Sequence, residues 1–170
     1  MAEDLPLSES ELRLLETLIR HKVRFMVVGL SAAALQGAPV VTEDVDLWFE
    51  DLNDPRLSLA LREAGAAYVP PFGLNPPMLA GPGSEPFDIV LRMDGLGTFG
   101  QEIKRTKSIR VGSLRLKVLS LERILASKSA ANRPKDRRVL SALESTLRTV
   151  QFREKKRRGR SPTTKPAKKK

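Results

Sequence analysis

The sequence predicts a single α/β (or α+β) domain followed by a disordered basic tail. Apolar strand-like segments alternate with amphipathic helical segments over residues 10–150, which is typical of this fold class. The chain has 170 residues and 41% apolar residues, enough for one domain with a buried core. Residues 150–170 carry ten Lys or Arg and one acid, whereas the rest of the chain is nearly neutral. We therefore expect a folded domain over residues 1–150 and a disordered tail over residues 151–170.

The elements of the N-terminal half follow from capping residues and hydrophobic spacing. The expected elements are a helix from Ser8 or Ser10 to about His21, a strand at 23–29, a short helix at 31–36, a strand at 44–49 and a helix at 55–64 that Asp54 caps. The proline-rich and glycine-rich segment 69–86 predicts a long loop, and loops of this length are often functional.

In the C-terminal half, strands and helices alternate again. The expected elements are a strand at 87–92, a short helix at 96–105, a strand pair at 108–111 and 114–118, and helices at 121–131 and 134 to about 150. The strand pair turns at Gly112-Ser113, and Asn132-Arg133-Pro134 separates the two helices.

The composition excludes several classes of protein. Without cysteine the chain has no disulfide framework, thiolate zinc site or catalytic thiol, and its single histidine argues against zinc. No apolar run approaches the roughly 18 residues that span a bilayer, and the acidic N-terminus lacks a signal-peptide pattern. We therefore expect a cytoplasmic protein with no membrane partner.

Two carboxylates, Asp44 and Asp46, lie two residues apart in an apolar strand and so share one face. Neighbouring acids on a half-buried strand repel each other and lose solvation unless a cation lies between them. Their hard oxygen atoms suit Mg²⁺ or Mn²⁺. The alternative is a polar sheet face turned to water. Asp88, near the start of a later apolar strand, is the candidate third acid, to hold a metal or accept a proton.

The segment after the first strand predicts a phosphate site. Gly29 opens the chain from a strand into a helix N-terminus, where free backbone N–H groups attract anions, and Ser31 adds a hydroxyl. A phosphate site beside a two-carboxylate metal site is what transfer of a nucleotidyl or phosphoryl group requires.

Four segments together resemble a known family. They are Val28-Gly29-Leu30-Ser31-Ala32, Thr42-Glu43-Asp44-Val45-Asp46, Phe87-Asp88-Ile89 and the run from Ala126 to Asp136. In this order they resemble the nucleotidyltransferase fold of the DNA polymerase beta type, and within it the minimal nucleotidyltransferases and abortive-infection type toxins. The resemblance covers about residues 10–148. It implies a short mixed sheet flanked by helices, with a C-terminal helical pair.

The resemblance also implies a reaction. An NMP would pass from an NTP, such as ATP, to a hydroxyl of a protein, an RNA (including tRNA) or a small molecule, and pyrophosphate would leave. Asp44 and Asp46 would bind two Mg²⁺ ions, with Mn²⁺ as the alternative, and Asp88 would ligate one ion and activate the acceptor. As a toxin, the protein would have an antitoxin partner.

The remaining implied contacts involve the nucleotide. Gly29 and Ser31 would lie against its phosphates, and Lys128 and Lys135 would contact the triphosphate or the acceptor. The family usually has Gly-Gly or Gly-Ser at this turn, whereas Leu30 follows Gly29 here, and a bulky side chain hinders backbone approach to phosphate. Two alternatives therefore stay open: an inactive relative of the fold, and a non-catalytic nucleic-acid-binding protein that uses its basic tail.

Overall fold

The computed structural model describes residues 7–159. The elements in chain order are α1 (Glu9–Arg20), β1 (Phe25–Val28), α2 (Gly29–Ala34), β2 (Val45–Phe49), α3 (Pro55–Glu63), β3 (Ala67–Val69), β4 (Met78–Ala80), β5 (Phe87–Val90), α4 (Phe99–Glu102), a 3₁₀ turn (Ile103–Arg105), β6 (Thr106–Val111), β7 (Leu114–Leu119), α5 (Leu121–Ala131) and α6 (Pro134–Arg158). Among these helices, none combines the length and the apolar character needed to cross a bilayer.

Five strands form one mixed sheet in the order β5-β2-β1-β7-β6. β1 pairs antiparallel with β2 and parallel with β7, β2 pairs parallel with β5, and β6 pairs antiparallel with β7. Helices flank the sheet, and α5 and α6 pack against each other. The predicted fold class, with its mixed sheet and C-terminal helical pair, is confirmed.

The core is centred on β1, whose four residues are all buried. Val27 is paired with Leu47 of β2 and with Val118 of β7, and all three are fully buried. Helix α1 begins with a capping box between Ser8 and Glu11 and packs against α3. The central strand β1 therefore has β2 on one side and β7 on the other. Its pairing register with these strands determines where their polar residues lie.

The register assigns each side chain to a face of the sheet. Met26 is paired with Trp48, and Asp46 lies two residues before Trp48 on the same strand. In the parallel β2–β5 pair, Asp46 lies opposite Asp88. Because side chains two residues apart share a face, Trp48, Asp46 and Asp88 lie on one face of the sheet.

The segment predicted as a loop over residues 69–86 is partly ordered as strand. β3 and β4 form a separate two-stranded antiparallel sheet in which Val69 pairs with Met78. Four prolines of this segment lie between β3 and β4 and two follow β4, so neither strand needs a proline N–H in its ladder. The prediction of a long loop is therefore wrong for residues 69 and 78–80.

The last helix is longer than predicted. α6 continues to Arg158, so the predicted disorder is wrong for residues 151–158. These are mostly good helix formers, and extending an existing helix costs less than starting one. Glu154 pairs with Lys107 at 2.7 Å, and Gln151 donates a hydrogen bond to Glu122 at 3.0 Å. The rest of the predicted tail, residues 160–170, lies outside the described residues.

Candidate active site

Asp46 and Asp88, here called the acidic pair, lie side by side on one face of β2 and β5. Asp46 is half-buried and Asp88 is exposed. Asp44 is exposed and precedes the first residue of β2. The three acids that the sequence singled out therefore lie near the same end of the sheet.

Burial and the neighbouring charges together set the pKa of Asp46. Burial raises this pKa most, and the charge of Asp88 follows, so that it rises from an ordinary 3.8 to about 6. Asp44 raises it further, whereas the cations Lys128 and Lys135 lower it. The charges of both predicted lysines therefore favour the ionised form of Asp46.

Gly29 lies against the carboxylate of Asp46. A Cβ at this position would overlap Asp46 Oδ2, so the carboxylate would have to move. Its φ of 66° also lies in the left-handed region, where other residues are strained. Glycine is required here because the turn from β1 into α2 passes directly over the acid.

Ser31 holds the turn to β2. Its hydroxyl is fully buried, donates to the Val28 carbonyl at 3.0 Å and accepts from the Asp46 backbone N–H at 3.3 Å. The first bond anchors Ser31 to the end of β1, and the second holds the backbone of Asp46 to Ser31. In this structure the hydroxyl does not reach the surface, and its predicted contact with phosphate stays a prediction.

The C-terminal helices place Lys128. Asn132, with a φ of 49°, ends α5 and lets α6 turn back beside it. Lys128 Nζ then lies 2.9 Å from Asp136 Oδ1, and Asp136 is only 1% exposed. Although burial opposes ionisation, the hydrogen bond and charge of Lys128 hold the pKa of Asp136 below its usual value. Asp136 therefore fixes the lysine rather than facing the cleft itself.

Two further cations border the acids. Lys135 is exposed and forms no ion pair within residues 7–159. The guanidinium of Arg133 lies 2.6 Å from Asp94 Oδ2 and 3.3 Å from Asp136 Oδ2. The C-terminal helices and the turn between them therefore bring Lys128, Arg133 and Lys135 near Asp46, which makes the site suited to a ligand with several negative charges.

Two clefts open on this part of the sheet. The smaller, of about 210 Å³, contains Gly29, Asp46 and Lys128 and reaches Arg92. The larger, of about 870 Å³, extends from Arg92 along residues 96–101 and the segment from Trp48 to Asn53. Trp48 itself is 4% exposed and packs edge-on against Phe99, so its side chain is mainly core. Arg92 borders both clefts.

Sequence reasoning missed Gln36. Its side-chain amide donates to the carbonyls of Ala32 at 2.9 Å and Leu119 at 2.8 Å, and accepts from the Leu121 N–H at 3.3 Å. It thus ties α2 to the start of α5, the helix that carries Lys128. A glutamine at the end of a short helix gives no signal of this role, because its partner carbonyl of Leu119 is 83 residues away.

The donors present suit a hard cation. Asp46 and Asp88 offer carboxylate oxygens that are crowded together, and a cation between them would offset the cost of ionising Asp46. Over the described range, 7–159, no three Asp, Glu, His or Cys side chains approach closely enough to form a ready metal cluster. Asp46 and Asp88 are therefore the side chains that would hold a cation, and Asp44 lies at the edge of the pair.

Comparisons with known proteins bear on the fold. No model of a protein family matches the sequence, and neither does any curated protein. The crystal structure of the aminoglycoside nucleotidyltransferase ANT(2'')-Ia in complex with adenylyl-2''-tobramycin matches 80% of this chain and 86% of its own, with 12% identity and a TM-score of 0.55. The solution structure of ANT(2'')-Ia matches 88% of this chain and 94% of its own, with 12% identity and a TM-score of 0.53.

A nucleotidyltransferase-like protein from Paracoccidioides brasiliensis is similar over 82% of this chain and 78% of its own, with 19% identity and a TM-score of 0.49. The similarity to the two ANT(2'')-Ia structures extends over most of this chain and most of theirs, and it concerns the fold. The chain has the nucleotidyltransferase fold.

Proposed function

We propose that the protein is a metal-dependent nucleotidyltransferase that moves an NMP from an NTP to an acceptor hydroxyl. The observation that carries this proposal is the acidic pair, which lies beside the Gly29 turn and within the field of Lys128. In the reaction the acceptor oxygen bonds to the α-phosphorus, the bond from that phosphorus to pyrophosphate breaks, and pyrophosphate leaves.

Asp46 and Asp88 would hold the metal, with Asp44 as the further ligand. A bound Mg²⁺ or Mn²⁺ supplies charge neutralisation of the triphosphate and polarises the attacking oxygen. The sequence prediction of two ions requires Asp44 to approach the pair, because in this structure Asp44 is exposed before β2.

The chain's own groups have distinct tasks in this proposal. Asp88, the exposed member of the acidic pair, accepts the proton of the acceptor hydroxyl. Gly29 leaves space above the Asp46 carboxylate. The Ser31 hydroxyl fixes the position of Asp46 by accepting a hydrogen bond from the Asp46 backbone N–H. Lys128, held by Asp136, and the exposed Lys135 contact the triphosphate.

We propose that the acceptor binds in the larger cleft. Its volume of about 870 Å³ lies within the range of small-molecule sites, and Arg92 lines both this cleft and the smaller one that contains Asp46. A structural neighbour was determined with adenylyl-2''-tobramycin, which favours an adenylyl donor and a small-molecule acceptor. RNA and protein acceptors, a toxin role with an antitoxin partner, and a cytoplasmic location remain predictions from the sequence.

The test is transfer of an α-³²P label. The protein is incubated with each labelled NTP, Mg²⁺, total RNA, a protein extract and a panel of small hydroxyl compounds. We expect one NTP to label one acceptor class, and we expect both Asp46→Asn and Asp88→Asn to abolish labelling. The matched control is Glu16→Gln, which neutralises an exposed acid on α1 and should leave labelling unchanged.

Label transfer that survives Asp46→Asn would contradict the proposal. Nucleotide binding without transfer to any acceptor would instead identify an inactive relative of the fold.

A further inference from the structure

The edge of the sheet opposite the acidic pair carries three exposed cations. Arg110 on β6 lies directly opposite Arg115 on β7, and Lys117 lies two residues along the same strand. All three are exposed. We call Arg110, Arg115 and Lys117 the basic face.

The basic face looks to the same side of the sheet as the acids. Val118 pairs with Val27, so the preceding Lys117 lies beside Met26, which pairs with Trp48. Trp48 and Asp46 share a face, and therefore Lys117 and Asp46 do too. Two inter-strand spacings, about 10 Å, separate their strands.

The arrangement of Arg110 and Arg115 is unfavourable by itself. Like charges directly opposite each other on antiparallel strands are destabilising. Arg110 Nε donates to the Gly112 carbonyl at 3.1 Å, but none of the three cations is in an ion pair within residues 7–159. An anionic partner would offset this repulsion.

The basic face has no apolar anchor. In the part of the chain that the structure describes, the large exposed apolar side chains lie elsewhere, on the β3–β4 hairpin among other places. Protein partners are usually held by buried aromatic or apolar anchors, and membrane-surface segments insert apolar side chains. A partner bound by point charges alone must carry a high density of negative charge, and nucleic acid does.

We propose that the basic face is a docking surface for nucleic acid, which it binds through backbone phosphates. Each cation neutralises a phosphate and releases condensed counterions. The binding needs neither NTP nor metal, so it stands or falls independently of the proposed transfer reaction.

The test is the affinity of the full chain for a fluorescent 20-nucleotide single-stranded RNA of mixed sequence, measured by anisotropy without nucleotide at several salt concentrations. The test variant is Arg110→Glu/Arg115→Glu/Lys117→Glu. The control, Arg13→Glu/Lys22→Glu/Arg62→Glu, makes the same change in net charge at exposed cations that form no ion pair among residues 7–159.

We expect the test variant to lose at least about tenfold in affinity at 0.1 M salt and its salt slope to fall by about 2, since each phosphate contact on a single strand contributes roughly 0.7. The control should lose far less. Equal losses in the two variants, or no loss in the test variant, would overturn the proposal. Displacement of the RNA by polyglutamate at equal charge concentration would also overturn it, in favour of an acidic protein partner.

A single substitution separates binding from folding. Arg115→Glu replaces the like-charge pair with an opposite-charge pair across β6 and β7, so we expect its thermal midpoint to rise while its affinity for RNA falls. Unchanged affinity in this variant would contradict the proposal. Asp46→Asn should bind RNA as the unmodified protein does, which keeps this test distinct from that of the transfer reaction.

Discussion

The sheet carries two cross-strand pairs of like charge, one toward each edge, and they differ in burial. Asp46 and Asp88 are paired on β2 and β5, where Asp46 is half-buried. Arg110 and Arg115 are paired on β6 and β7, and both are exposed. Each pair places two like charges opposite each other on neighbouring strands, parallel for the acids and antiparallel for the bases, and water reaches Asp46 less than it reaches the two arginines.

Because of this difference in burial, we expect the two like-charge pairs to have different roles. At the acidic pair, burial together with the neighbouring charge raises the pKa of Asp46 to about 6, so its ionised form is strained unless a cation is bound. At the basic pair, water and salt screen the repulsion, and its cost is small. We infer that the acidic pair is suited to hold a metal and the basic pair to attract phosphate.

The largest effect is expected on catalysis. Asp46→Asn should lower nucleotidyl transfer by about a thousandfold or more, because loss of a metal ligand removes several kcal/mol of transition-state stabilisation. Arg115→Glu should leave transfer to a small-molecule acceptor within about threefold of the unmodified rate. Label transfer under saturating NTP checks both, and equal losses in the two variants would remove the distinction between the pairs.

A second substitution tests the close approach at the acidic pair. Gly29→Ala places a Cβ onto Asp46 Oδ2 at a φ of 66°, so we expect a loss of about 1–2 kcal/mol in stability and about a hundredfold in transfer. Gly37→Ala is the control, because Gly37 has a φ of 90° with nothing within 4 Å of the added Cβ. It should lose stability alone. Denaturant unfolding and label transfer measure the two effects, and loss of transfer in both variants would contradict the account.

The third prediction concerns pH. Because the pKa of Asp46 is raised in the folded state, folding binds protons, and the stability of the protein falls as pH rises from about 4 through about 6. Asp46→Asn removes this charge and should raise the free energy of unfolding by about 1–2 kcal/mol at pH 7, after allowance for solvent screening. The gain should vanish below about pH 4. If Asp46→Asn were less stable than the unmodified protein at pH 7, the ionised Asp46 carboxylate would not be destabilising the folded state.

The smallest effect is expected at the basic pair. Arg115→Glu should raise the free energy of unfolding by about 0.2–1 kcal/mol at low salt, and added salt should reduce the gain. Arg13→Glu is the matched control, since Arg13 is exposed on α1. Thermal unfolding at two salt concentrations measures the difference. A gain that does not depend on salt would indicate a cause other than charge repulsion.

The alternation of apolar and polar residues was enough to predict that Asp46 lies on the polar face of its strand and that a later strand carries Asp88. Their register was not predictable, because it depends on how β2 and β5 pair across a separation of about 40 residues. The roles of Ser31 and Gln36 were missed for the same reason: the Ser31 hydroxyl binds backbone of β2, and Gln36 binds backbone near residue 120. The end of α6 was misplaced because its charge suggested disorder, whereas Lys107 and Glu122 hold it from other elements.

We infer that burial makes the acidic pair depend on a bound cation. The most direct measurement is the thermal midpoint of the unmodified protein and of Asp46→Asn, as a function of Mg²⁺ concentration, at pH 7.5 and at pH 5. Ligand that binds only the folded state raises the midpoint. We expect Mg²⁺ to raise it for the unmodified protein at pH 7.5, much less at pH 5, where Asp46 is mostly protonated, and not at all for Asp46→Asn. An equal rise in both proteins, or none in either, would contradict the account.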